Sequence, residues 1–83
     1  MTIFLRLFGE LKQYAPEELP CGRAGPLELP EGTTVLQLVL RLGIPYGGEE
    51  GLLVAAVNDT EVTHQTRLQH GDKLSLFEPL AGG

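Results

Sequence analysis

The segment TIFLRLF, residues 2–8, alternates cleanly between two faces. Ile3, Leu5 and Leu7 fall on one side; Phe4, Arg6 and Phe8 fall on the other. A two-residue period rich in branched and aromatic side chains predicts a strand, and Gly9 ends it. In ELKQYAP, Leu11, Tyr14 and Ala15 come at helical spacing before Pro16, which predicts one or two helical turns. Residues 16–26 hold three of the six prolines, two glycines and Cys21, a composition that predicts a surface loop. LEL, residues 27–29, reads as a short strand closed by Pro30.

EGTTVLQLVLRLGIP carries the clearest helix signal, over residues 34–42. Thr34 and Gln37 stand three apart and can exchange side-chain and backbone hydrogen bonds as a capping box. Val35, Leu38, Val39 and Leu42 form the stripe expected to face the core. Leu36 and Leu40 flank it and make the expected apolar face broad. Arg41 sits in the last turn, where the helix dipole favours a cation. Gly43 can take the left-handed cap, and Pro45 forbids continuation.

Beyond a connection containing Gly47, Gly48 and Gly51, LLVAAVN reads as a central strand, because apolar residues point both ways. Asn58 and Asp59 tolerate positive φ and predict a turn into a short return strand at EVT. A second turn at His70, Gly71 and Asp72 leads to a last strand over 73–77. There Leu74 and Leu76 face one way, and Ser75 and Phe77 the other. The economical arrangement is an α+β domain: one main helix on a mixed sheet of four or five strands. If the strand parities hold, Phe4, Phe8 and Phe77 lie on the face away from the helix. They are the three phenylalanines of the sequence.

Composition narrows the function. Eighty-three residues make one domain, and a chain of that length buries only about 60–65% of its unfolded surface. A single cysteine rules out an internal disulfide and a cage of cysteines around a metal. The N-terminal segment reads as a strand and not as a signal sequence. No apolar run approaches the roughly 20 residues that span a bilayer, so a soluble cytoplasmic protein with no membrane partner is expected. Six Lys and Arg against eleven Asp and Glu give a net charge of −5, which argues against a nucleic-acid partner and suits a basic protein surface.

Catalytic patterns are missing. There is no G-x-S-x-G, H-E-x-x-H or glycine-rich phosphate loop. His64 and His70 lack ligating company at metal-site spacing, and no metal is expected. Cys21 has only Arg23 nearby to activate a thiol and reads as a plain loop cysteine. Asp59 and Glu61 read as a solvated turn.

The sequence finishes FEPLAGG. The globular part is expected over residues 1–78, with 79–83 as a flexible tail. Five residues reach about 16 Å when extended. Pro79 stops ladder pairing, and Gly82 and Gly83 can thread a channel that admits only backbone. What arrives there is a carboxylate, ionised at neutral pH. It becomes a good electrophile once its oxygen is made a leaving group, as adenylation by an ATP-using partner would do.

The blocks RLFGELKQYAP, LELPEGTTVLQLVLRLGIP, LVAAVN and GDKLSLFEPLAGG together resemble the MoaD/ThiS sulfur-carrier family over most of the chain. The resemblance implies a ubiquitin-like β-grasp fold and a carrier, not an enzyme. It implies that Gly83 is adenylated by a ubiquitin-activating-like enzyme and converted to a thiocarboxylate whose sulfur enters cofactor synthesis. ATP is then the partner's substrate, and the carrier binds no cofactor of its own. Ala81 and Gly82 would thread the partner's channel. Phe77, Pro79 and Leu80, extended by Phe4 and Phe8, would be the docking residues. The early RLFGELKQYAP block and the F-x-P-x-x-G-G ending resemble the molybdopterin synthase small subunits, which implies a sulfur-accepting synthase large subunit as a second partner. Glu78, between Phe77 and Pro79, departs from the commoner F-P-P, and the glycine-rich YGGEEG connection is a second departure. A thiamine thiazole carrier and a ubiquitin-like modifier joined through Gly83 to lysines remain alternatives.

Overall fold

The computed structural model describes residues 1–17, 19, 24–44 and 53–78. Cys21, Pro45, the connection around Gly47, Gly48 and Gly51, and the tail expected over 79–83 lie outside the described residues.

Among the described residues five strands and one α-helix follow one another as β1 (Thr2–Leu7), a 3₁₀ helix (Gly9–Tyr14), β2 (Ala24–Glu28), α1 (Val35–Leu42), β3 (Val54–Val57), β4 (Thr60–Val62) and β5 (Lys73–Phe77). The sheet order is β2-β1-β5-β3-β4. The first and last strands run parallel, side by side, with Phe4 opposite Lys73 and Leu7 opposite Leu76. Every other pair is antiparallel, so the sheet is mixed, as expected.

β2 starts three residues earlier than the sequence suggests and includes Gly25 and Pro26. The physical reason is its edge position. An edge strand uses only alternate N–H groups in its ladder, so a proline is tolerated there. β3 lies inside the sheet, with Ala55 and Ala56 buried on opposite faces, but β5 and not β3 is the middle strand.

The helix forms where its caps dictate. The Gln37 N–H donates to Thr34 Oγ1 at 3.2 Å, and the Thr34 N–H donates to Gln37 Oε1 at 2.9 Å. The two N–H groups that a capping box leaves over, on Val35 and Leu36, donate to the carbonyls of Thr66 and His64 at 3.0 and 2.9 Å. Its start is thereby tied to the loop before β5, and its orphan donors are satisfied. At the other end Gly43 has φ +81°. The Gly43 N–H donates to the Leu40 carbonyl and the Ile44 N–H to the Val39 carbonyl, the two bonds of a Schellman motif, with Ile44 and Val39 both buried.

Val35, Leu38 and Val39 are buried against Ile3, Leu5, Leu7, Leu27, Leu74 and Leu76 of the sheet. Leu42 packs at the margin. The broad apolar face expected of α1 is narrower in fact, because Leu36 is half-buried and Leu40 is 59% exposed. A straight helix on a twisted sheet buries one stripe, and Leu40 points off it.

Two turns hold β5 in register. Asn58 and Asp59 have φ +52° and +71° and close the β3–β4 hairpin, the pattern of a type I′ turn. The Asn58 side chain accepts from the Lys73 N–H at 3.1 Å and donates to Asp72 Oδ1 at 3.2 Å. Gly71, at φ +89°, donates its N–H to the Thr2 carbonyl.

Candidate functional site

Strand parity assigns the residues of the open face. From β1 it takes Phe4 and Arg6, with Phe8 just beyond; from β5 it takes Lys73, Ser75 and Phe77. β3 adds Val54 and Ala56, and the edge strands add Pro26, Glu28 and Glu61. Phe4 and Phe8 are 40% and 41% exposed, and Phe77 is half-buried.

Phe8 and Phe77 meet. Their ring centroids are 5.6 Å apart and the planes cross at 73°, an edge-to-face pair. The parallel register forces this contact: Leu7 opposite Leu76 sets their successors side by side. Phe4 lies opposite Lys73, at the other end of β5 from Phe77. The structure therefore joins two of the three expected docking aromatics and sets the third apart. Pro79, Leu80, Ala81, Gly82 and Gly83 lie outside the described residues.

Between the aromatics stands a cation that the sequence pattern did not single out. Arg6 donates from Nε and Nη2 to Ser75 Oγ at 3.2 and 3.0 Å. Its Cζ lies 5.6 Å from the centre of the Phe8 ring, within cation–π range. Asp59 Oδ1 is 3.8 Å from Nη2, but that side chain is 90% exposed, so the pair is a screened surface contact that contributes little. Ser75 is buried on this face and finds its hydrogen-bond partner in Arg6. The available signal was local: Arg6 sits between Phe4 and Phe8 in the alternation, and Ser75 sits between two core leucines.

The histidines serve the framework. His64 Nε2 lies 2.6 Å from the Leu53 carbonyl, and His70 Nδ1 accepts the Thr2 N–H at 3.0 Å. Among the described residues no group of three or more His, Cys, Asp or Glu side chains could hold a metal ion. One surface depression borders Tyr14, Glu17 and Arg41, another Glu31, Thr33 and Gln37. Among the described residues neither is lined by Ser, Cys or His. No helix among the described residues is long and apolar enough to cross a membrane.

A model of the ThiS family matches residues 5–83. The chain belongs to the ThiS family. Solved structures agree on the architecture of this ThiS-family chain. SAMP1 of Haloferax volcanii superposes with a TM-score of 0.69 at 21% identity, each chain covered in full. A candidate molybdopterin converting factor subunit 1 from Pyrococcus furiosus gives 0.70 at 22%, covering 96% of this chain and 99% of that one. The molybdopterin-converting factor of Helicobacter pylori 26695, solved as a complex of subunits 1 and 2, gives 0.58 at 26%, with both chains covered in full. A search of curated proteins finds no match. The fold is thus the ubiquitin-like β-grasp, in a chain of the ThiS/MoaD type.

Proposed function

We propose that this chain is a cytoplasmic sulfur carrier, activated at Gly83 and donating sulfur in cofactor biosynthesis, with molybdopterin as the destination. The observation that carries the reading is the family match, which runs from residue 5 through the β-grasp domain to residue 83. The carrier supplies a carboxylate and a docking face, and catalysis belongs to its partners.

The chemistry follows from the carboxylate. A Gly83 carboxylate oxygen attacks the α-phosphorus of ATP on a ubiquitin-activating-like enzyme, and pyrophosphate leaves. The acyl adenylate now has a good leaving group. Hydrosulfide adds to the carbonyl carbon, a C–S bond forms, and AMP departs with the former carboxylate oxygen. The product is a thiocarboxylate. Ala81 and Gly82 offer little bulk to a narrow channel, while Pro79 and Leu80 follow the docked Phe77. Phe8 and Phe77 form the apolar contact, with Phe4 at its far end. A synthase large subunit is the proposed acceptor, supported by the H. pylori relative solved with its subunit 2.

The deciding experiment incubates the full chain with its cognate adenylating enzyme, ATP and sulfide. Intact mass is expected to rise by the difference between one sulfur and one oxygen, and only when ATP is present. Removing Gly82 and Gly83 is expected to leave a folded protein that gains no mass, because the last residues of a domain generally contribute little to stability. A parent chain that stays unchanged with every cognate adenylating enzyme would sink the proposal.

The likeness to SAMP1, named as a small archaeal modifier protein, favours a second reading. In it the same activated Gly83 is joined to lysines of other proteins. Gly-Gly remnants on lysines in digested lysate would select it. Transfer of sulfur to a thiazole precursor instead of a pterin would select the thiamine alternative.

A further inference from the structure

We infer that Arg6 reads a carboxylate on the adenylating partner. In this view the occupant of the open face sets an Asp or Glu side chain against the unused edge of the guanidinium, while apolar groups cover Phe8 and Phe77. The identity of the partner rests on the sulfur-carrier reading above.

Three observations carry the inference. The first is preorganisation. Ser75 Oγ holds the Nε and Nη2 edge at 3.2 and 3.0 Å, and Phe8 flanks the plane at 5.6 Å. A planar guanidinium fixed in this way loses little further freedom when it binds.

The second is spare capacity. A guanidinium has five N–H donors, and Ser75 takes only two of them. Among the described residues Nη1 makes no hydrogen bond, and Asp59 approaches Nη2 no closer than 3.8 Å. The Arg6 side chain is still 40% exposed. An arginine in that state can still make the strong, geometrically specific bond that a carboxylate offers.

The third is the layout of charge. The chain is acidic overall, at −5, yet the central strands of this face carry Arg6 and Lys73. The edge strands carry Glu28 and Glu61. The complement is an acidic point inside an apolar patch with basic groups around it. Sulfur chemistry at Gly83 makes no demand for a cation on β1, so the feature belongs to partner choice.

The test titrates the purified full-length chain and its Arg6→Gln, Arg6→Glu, Arg6→Lys and Ser75→Ala variants into the cognate adenylating enzyme, at low and high salt. Melting curves confirm that each variant is folded. Arg6→Gln is expected to weaken binding about tenfold or more, Arg6→Glu further, with partial recovery in Arg6→Lys. Part of the salt dependence should disappear with the charge, and Ser75→Ala should keep that dependence with a smaller loss. At saturating enzyme all variants should still gain the thiocarboxylate mass.

Binding of Arg6→Gln and Arg6→Glu within about twofold of the parent, with the mass gain intact, overturns the inference and leaves the carrier reading standing. A parent that neither binds nor gains mass defeats both. Self-association of the parent in sedimentation, abolished in Arg6→Glu, would make the occupant a second copy and overturn the assignment to the enzyme.

Discussion

The two faces of the sheet come from the same strands and the same alternation, yet they end in opposite states. On the helix side Leu5, Leu74 and Leu76 have no measurable exposure. On the other side Phe4 and Phe8 keep about two-fifths of their surface in water, with Arg6 between them. Phenylalanine is no less apolar than leucine, so side-chain chemistry does not explain the contrast. What explains it is that α1 covers one face only. Apolar area left in water forgoes roughly 25 cal/mol per Å². A small chain that leaves two aromatics uncovered keeps that gain for association. The covered face therefore stabilises the fold, and the open face is the one available to another protein.

The comparison can be broken at its strongest point first. Leu74→Ala removes a fully buried side chain from the central strand and is expected to cost about 2–5 kcal/mol in urea or thermal unfolding. That is a large share of a small domain's total stability. Phe77→Ala tests the other face. It is expected to weaken binding to the adenylating enzyme by about 2 kcal/mol while costing less stability than Leu74→Ala, because Phe77 is only half-buried. Undiminished affinity in titration calorimetry would remove Phe77 from the docking face. Thr34→Ala sharpens the comparison from the helix side. It removes the Oγ1 that accepts from the Gln37 N–H, while the backbone N–H of residue 34 keeps its bond to Gln37 Oε1, at a cost of about 1 kcal/mol, read as a lowered melting temperature with binding unchanged.

Much of the fold was legible from the sequence. The alternation in residues 2–8 placed Ile3, Leu5 and Leu7 inward and Phe4 and Phe8 outward, and the structure agrees. The Thr34–Gln37 cap, the left-handed Gly43 and the Asn58–Asp59 turn were readable because each rests on residues a few positions apart. The start of β2 was misread because Pro26 and Gly25 signal a loop unless the strand is known to lie at an edge. Leu40 was assigned to the apolar face of α1 because the pattern cannot show how far the sheet extends beneath the helix. At the candidate site, the aromatics were found through parity, whereas Arg6 was passed over because its partner Ser75 is 69 residues away.

The sequence alone determined which side chains share a face, where the helix begins and ends, and where the hairpin turns, since each depends on short-range periodicity and backbone sterics. Tertiary structure alone decided that β1 and β5 lie parallel at the middle of the sheet. That pairing brings Phe8 against Phe77 and Arg6 onto Ser75. Residues this distant meet only because one helix can bury one sheet face, and closing the chain around that core brings its first and last strands together.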